Sequence, residues 1–404
     1  MNKRATMALD FAATALPDAA APSRIPASRT AQEPAADRVR PCEARDLGAV
    51  AELFQLVFRK DASAPPRDLI DHLDAVYFLH PWHNAATPSL VLERADGTLD
   101  GFIGVLPLRL IFRGKPIVAT IAGALMVRDP EQRPLAASRL MRAHVSGPQY
   151  VSLGDTTNHP AQTMWERLGG HQLPLASMEW LKIIRWVPFG VSSGVSRLPQ
   201  RFRSLLKPVA AGVEWLSWTL GPKLVPNANE TIGETVDDAA YLAAAGQISQ
   251  NFDLRLDPDP EAGLWLLRMA AEKRKYGALH RRIVRSRNGR PVGTYLVYFR
   301  RGMPAETLQI VSHPKSSEAV LADLIAYAAA QGCTAVRGRT QGPMIDAFFR
   351  AGCLMRHRSA TVFRTQDAEL AAALENGHTA LGGLFGETWT RLVSDDFGAS
   401  GGNA

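Results

Sequence analysis

The sequence predicts an α+β protein built from two similar units in tandem, each a mixed, mainly antiparallel sheet flanked by helices. Three observations point there. The chain's 404 residues exceed one ordinary domain. Its apolar and charged fractions, 46% and 21%, are those of a globular protein able to bury sizeable cores. The order strand, helix, helix, three hairpin-linked strands, helix, strand, helix, strand can be read in the first half, and a similar order follows in the second. That order differs from the strict alternation of a doubly wound parallel sheet.

In the first unit, Arg38 to Cys42 reads as a strand and Asp46 as the cap of a helix. Leu47, Val50, Leu53, Phe54 and Val57 recur at helical spacing. A second helix runs through Leu69, Leu73 and Val76 and stops near His80-Pro81. Strands follow at Ser89–Arg94, Gly101–Phe112 and Pro116–Val127, with turns at Ala95-Asp96-Gly97 and Arg113-Gly114-Lys115. A helix from Leu135 to His144, a short strand at Tyr150–Gly154 and a helix at Pro160–Leu168 come next, and Leu175–Ile184 reads as the closing strand.

The second unit has a helix at Leu264–Lys273 and strands at Arg281–Arg287, Val292–Arg300 and Thr307–Val311. A helix at Glu318–Gln331, a strand at Ala335–Arg339, a helix at Met344–Ala351 and a last strand at Leu354–Phe363 complete it. The repeated order implies an ancient duplication. The expected division is a disordered tail over 1–37, a first domain over 38–184, a connector over 185–228, a second domain over 229–395 and a tail over 396–404. The first tail is rich in Ala and Pro and lacks the unbroken apolar core of a secretory signal, so the expected location is cytoplasmic.

Bulk chemistry excludes some classes. No apolar run reaches the roughly 18 residues of a membrane span. Cys42, Cys333 and Cys353 are scattered, which argues against a disulfide framework or structural zinc and favours buried small apolar side chains. No metal is expected. The net charge of +7 suits an anionic partner without choosing among a nucleotide, an acidic lipid and a nucleic acid. No recognised nucleic-acid motif is present, so no specific nucleic acid is expected. The connector interleaves Trp186, Phe189, Phe202, Trp215 and Trp218 with Arg197, Arg201, Arg203 and Lys207. Such a segment either packs two domains together or lies on the inner face of an anionic membrane.

Two motifs carry chemistry. The first runs from Gly123 through Val127, Arg128, Asp129-Pro130-Glu131-Gln132, Arg133, Pro134, Leu135, Ala136, Ala137 and Ser138 to Leu140: a strand, a turn and a helix start. The second is Asn158-His159-Pro160-Ala161 followed by Trp165-Glu166-Arg167-Leu168-Gly169-Gly170. Together and in this order they resemble the pyrophosphate-loop and following-helix segments of the GNAT (Gcn5-related N-acetyltransferase) superfamily. The resemblance covers residues 38–184 and, more loosely, 229–392. It implies two GNAT-like domains, one of them degenerate as is common in tandem members. It also implies an acyl-CoA donor (acetyl-CoA or another acyl-CoA) held by Val127, Arg128, Arg133, Pro134, Leu135, Ala136, Ala137, Ser138 and Trp165. Backbone N–H groups at a helix start suit a pyrophosphate. Arg133 matches the motif's Arg, so Arg133→Glu is expected to abolish acyl-CoA binding with the fold intact.

Departures from the pattern bear on catalysis. Pro134 removes a backbone donor and Ala136 adds a methyl where glycine is usual. Trp165 stands where many members place a tyrosine acid, and an indole N–H cannot serve as one. Either another group does that work or this domain does not catalyse. The candidates for moving the nucleophile's proton are Asp155 and His159, with Asn158 positioning; Asp155 and Asn158 can equally organise a turn and cap the next helix. In the second unit, Ser316 and Ser317 read as an anion-holding loop or as a serine cap ahead of Glu318.

The closing segment Gly386–Leu392 resembles the tail of tandem acyltransferases found with bacterial polysaccharide and cell-envelope genes. Fem-type transferases, which use aminoacyl-tRNA, pair two such domains as well. The expected function is therefore direct N- or O-acyl transfer, acetyl above all, to a small molecule or an envelope or exopolysaccharide precursor. A non-catalytic scaffold and a tRNA-dependent transferase are the alternatives.

Overall fold

The computed structural model describes residues 37–185, 231–393 and 395–397. The basic aromatic connector and both expected tails lie wholly or largely outside these residues. In chain order the first half contains β1 (Arg38–Pro41), α1 (Leu47–Phe54), α2 (Arg67–Tyr77), β2 (Leu90–Glu93), β3 (Leu99–Phe112) and β4 (Lys115–Val127). It continues with α3 (Ala136–Val145), β5 (Val151–Thr157), α4 (His159–Arg167), β6 (His171–Gln172) and β7 (Met178–Ile183). The second half begins with β8 (Thr231–Thr235), α5 (Asp238–Ser249), β9 (Leu254–Leu256), α6 (Pro260–Ala271), β10 (Ala278–Ser286) and β11 (Pro291–Phe299). Next come β12 (Ala305–Ser312), α7 (Ser317–Ala330), β13 (Ala335–Arg339), α8 (Ile345–Arg350), β14 (Leu354–His357), β15 (Ala360–Thr365) and α9 (Ala368–Glu375).

Local chemistry explains these boundaries. The β3–β4 hairpin turns at Arg113 and Gly114, which both have positive φ, 46° and 82°, a backbone twist that matches the strands it joins. The Asp237 carboxylate caps α5 through Ala240 N, and Asp259 caps α6 through the N–H groups of Glu261 and Ala262. Asp46 departs from expectation. Its carboxylate does not cap α1 but accepts from Glu43 N at 2.9 Å and pairs with Arg40. Ser316 likewise makes no side-chain cap at α7. The neighbouring Ser317 hydroxyl is buried against Ser312, 2.9 Å away.

The strands form two mixed, mainly antiparallel sheets. The first has the order β1-β2-β3-β4-β5-β15-β6, with β9 alongside β3; the second has the order β14-β7-β13-β12-β11-β10-β8. Each sheet has a parallel pair at the corresponding place, β4 with β5 and β12 with β13. Two strands cross over. The segment expected to close the first unit, β7, lies in the second sheet between β13 and β14, and β15 lies in the first sheet between β5 and β6. Alternating burial along a strand shows which face is covered but not which sheet supplies its neighbours, so the pattern could not reveal the exchange.

The exchange fuses the packing. One continuous core takes in Leu73 and Phe102 from the first half and Leu266 and Trp389 from the second. Trp82 Nε1 donates to Asp259 at 2.9 Å, tying the loop after α2 to the start of α6. A separate core under the second sheet centres on Trp180, stacked on Phe348 at 4.7 Å.

Candidate active site

The strands β4 and β5 pair in parallel over only three positions, Ala119 with Val151, Thr120 with Ser152 and Ile121 with Leu153. Beyond Leu153 no further pairing joins them. The register between β3 and β4 shifts at this point: Gly104 faces Gly123, yet Phe102 faces Met126, so β4 carries one extra residue. That bulge includes Ala124 at φ 46°, a left-handed conformation that costs a non-glycine residue about 1–2 kcal/mol. A strained bulge at the mouth of two parting strands is a place where sheets present backbone groups to ligands.

The C-terminal segment enters this opening. Glu387 is 8% exposed, and an added Cβ on Gly123 would lie 2.2 Å from its Oε2. Its carboxylate accepts from the Thr156 hydroxyl on β5, and the Ala124 backbone N–H on β4 lies near enough to favour its charged form. Its own N–H donates to Asp155 Oδ2 at 3.0 Å. Burial pushes the Glu387 carboxyl up to about 7; the Thr156 hydrogen bond opposes this and the neighbouring Asp155 adds to it. Tyr77 sits on the same face of the sheet, its phenol pushed up by burial and then by the Glu387 charge. Lys273 is 1% exposed, and its ammonium donates to the Thr388 carbonyl at 2.6 Å. Burial pulls it down to about 8.

Beside this cluster a cavity of 260 Å³ runs between the sheets, floored by Ile121, Leu153 and Asp155 and walled by the Gly382–Gly386 turn. Arg339, at the end of β13, crosses its edge. One guanidinium nitrogen, Nη1, donates to the carbonyls of Ala176 and Ser359 at 2.9 and 3.0 Å and to Thr361 Oγ1 at 3.1 Å. The other, Nη2, donates to the Asp155 carbonyl and the Ser359 hydroxyl. These groups lie on β5 and β15 of the first sheet and in the loops before β7 and β15, so Arg339, itself on β13 of the second sheet, fastens the crossover to the end of β5.

Comparison with solved structures identifies the architecture. A GCN5-related N-acetyltransferase from Anabaena variabilis superposes with a TM-score of 0.53 at 12% identity, over 82% of this chain and 73% of that one. A conserved protein of unknown function from Enterococcus faecalis, described as "Probable N-Acyltransferase", superposes with a TM-score of 0.52 at 11% identity, over 85% of this chain and 74% of that one. The chain has a GNAT-like fold. No protein-family model matches it, and no curated protein matches it in sequence. At such identities the likeness concerns the fold.

Within this GNAT-like fold the residues singled out from sequence fall in three places. Asp155 lines the cavity and touches Glu387 and Arg339. Asn158 and His159 are exposed at the start of α4, where Asn158 accepts from Ala161 N at 3.0 Å as its N-cap. The cap alternative is thus realised for Asn158.

Residues of the expected phosphate loop surround the start of α3. Val127 and Ala136 are buried, 7% and 4% exposed, in the cluster with Leu140, so the Ala136 methyl turns into the core and does not stand over the loop. Pro134 and Leu135 are exposed, Ala137 is half-buried, and the Ser138 hydroxyl donates back to the Leu135 carbonyl at 2.8 Å. Arg128 N donates to the Asp100 carbonyl at 2.8 Å. Arg133 pairs with Asp100 at 2.8 Å and with Asp37. Since the Asp100 side chain is 1% exposed and is also paired with Arg94 at 2.7 Å, Arg133→Glu would set a second carboxylate beside it, which weighs against the expectation of an intact fold. Trp165 is 1% exposed in the core between α3 and α4, edge-on to His144.

Sequence reasoning missed Glu387, Lys273, Tyr77 and Arg339 as site residues. The segment 386–392 stood out by resemblance, but only the tertiary fold brings it to β4. The three cysteines are all buried, and burial raises their thiols, Cys42 to about 12 and Cys353 to about 11, so neither is poised as a thiolate. Among the described residues no group of three metal-ligating side chains is gathered, and no helix is long and apolar enough to cross a membrane.

Proposed function

We propose that the protein is an acyl-CoA-dependent N- or O-acyltransferase working by direct transfer, with Glu387 as the base. The observation that carries this reading is a buried carboxylate, titrating at about 7, held against the strained bulge of β4 between two parting strands. A base is most useful when its pKa lies near the working pH. Glu387 takes the proton of an amine or hydroxyl that attacks the thioester carbonyl, and returns it to the CoA thiolate released as the C–S bond breaks. The backbone N–H groups of the bulge would stabilise the carbonyl oxygen on which charge develops. Asp155 positions Glu387 through its backbone N–H. Lys273 supplies positive charge nearby.

The donor fits the residues present. The backbone of β4 past the bulge, Arg128 and the start of α3 through Leu135, Ala136, Ala137 and Ser138 would hold acyl-CoA, which supplies a thioester as the activated acyl group. Acetyl is the simplest acyl group and an envelope or exopolysaccharide precursor the acceptor class; both rest on the sequence resemblance. A second reading, a scaffold that keeps the fold without the chemistry, is favoured by Arg133 being occupied by Asp37 and Asp100. Titration calorimetry with acetyl-CoA, and desulfo-CoA as control ligand, separates the two. Binding at one site per chain supports the transferase, and absence of binding by folded protein supports the scaffold or a tRNA-borne donor.

A further inference from the structure

The cavity at the base of the parting strands bears on which acyl group is used, on the assumption that the acyltransferase reading holds. Its floor, Ile121 and Leu153, is the last paired position before β4 and β5 separate, so a group entering through the opening meets it next. Its walls are chiefly aliphatic and aromatic: Leu173, Leu175, Leu381 and Phe385. Of the polar groups at its edge, Arg339 and Asp155 are already committed, while Glu375 is exposed at the rim. The Arg339 donors go to five oxygens, and Asp155 is engaged by Glu387 N and by Arg339. Gln341 Oε1 is the cavity's one buried side-chain oxygen without a partner among the described residues, and it lies where a smaller cavity adjoins. A lining whose polar atoms satisfy one another offers a ligand apolar surface and little else. An acetyl group would leave most of the 260 Å³ unfilled.

We infer that this cavity receives the alkyl chain of a medium-chain acyl donor, of about six to ten carbons, with the thioester at the Ala124 bulge and the chain directed between the sheets. Each methylene moved from water into such a lining strengthens binding about fourfold. Burial of two of the six additional methylenes of an octanoyl chain therefore already gives about a tenfold preference over acetyl.

The test is calorimetry of the intact chain with desulfo-CoA, acetyl-CoA and octanoyl-CoA, repeated with Leu175→Trp. Leu175 is 41% exposed at the cavity wall, so the indole can occupy the space without disturbing a packed core. The expected result is octanoyl-CoA binding at least about tenfold tighter than acetyl-CoA, with Leu175→Trp removing that advantage while desulfo-CoA affinity and melting temperature stay unchanged. Equal affinities for all three ligands would overturn the inference and leave the donor reading standing, the cavity then belonging to the acceptor. A preference for octanoyl that survives Leu175→Trp would overturn the placement of the chain. Failure of all three ligands to bind folded protein would overturn the donor reading, and this inference with it.

Discussion

Replacing Glu387 with Gln separates the proposed base from a merely structural carboxylate, because it predicts a stability change and an activity change of opposite sense. In the folded chain the carboxyl titrates at about 7, against an ordinary 4.5. The folded state therefore binds more protons than the unfolded chain between those pH values, and stability falls as pH rises through that window. Below about 4.5 the group is protonated in both states and contributes nothing; above about 7 the full penalty is present. At about 1.4 kcal/mol per tenfold, the gap amounts to about 3 kcal/mol. Glutamine keeps the size and an oxygen able to accept from Thr156 but has no charge to bury. Urea unfolding at pH 5 and pH 8 should show Glu387→Gln gaining about 2–3 kcal/mol relative to the native chain at pH 8 and much less at pH 5. Acyl transfer should fall about 10²–10⁴-fold with little change in donor affinity. Parallel pH profiles for the two proteins would refute the buried, raised carboxyl. Retained turnover would refute its role as base.

Three further outcomes concern other buried groups and the closing turn. His72, His80 and His144 are buried, and burial lowers them to about 3, 4 and 4; the unfolded chain takes up these protons first, so stability should drop as pH falls from about 6.5 towards 4, read as a falling melting temperature. Arg133→Glu should destabilise the fold by about 1 kcal/mol or more, since it sets a second carboxylate beside the buried Asp100 while Arg94 still pairs with it at 2.7 Å, and a melting curve unchanged from the native chain would contradict the Arg133 pairing. Gly386→Ala should lower both melting temperature and turnover, since the new Cβ would stand 1.7 Å from Asp155 Oδ2 and must push it off the Glu387 N–H; wild-type behaviour in both assays would show that the turn can shift freely.

Much of the fold was legible because it rests on local signals. The Arg113-Gly114 turn, the apolar repeat of α1 and the Gly332 and Gly352 helix stops are each set by a few neighbouring residues. The helix Asp238–Ser249 escaped because its apolar residues lie all round it and not on one stripe, with Ala at five of its twelve positions. Asp155 was legible as a residue at a strand end. Its partner was not, because Glu387 lies 232 positions away and nothing in a linear pattern states that a late segment returns to an early strand. Arg339 shows the same limit: it reads as the end of a strand, and its value comes from oxygens on three other segments, at Asp155, Ala176 and Ser359–Thr361.

The two halves repeat one device, and this explains why the site falls where the C-terminal segment runs. In the first sheet the extra residue of β4 follows the parallel contact with β5. In the second, Val297 faces Thr307 while Leu296 faces Gln309, so Leu308 is the extra residue of β12, directly after its parallel contact with β13. The closing segment touches both bulges. An added Cβ on Gly383 would lie 2.2 Å from the Leu308 carbonyl, and four residues later the Glu387 carboxylate packs against Gly123, where an added Cβ would lie 2.2 Å from its Oε2. The glycine run Gly382-Gly383 and then Gly386 is needed because side chains there would strike Gln309, Leu308 or Asp155. A segment fitted so closely to two corresponding openings makes them unequal: one bulge meets bare backbone, the other a carboxylate. On the proposed reading the chemistry sits at the bulge that the repeated strand order alone could not distinguish, and the residue that distinguishes it is Glu387.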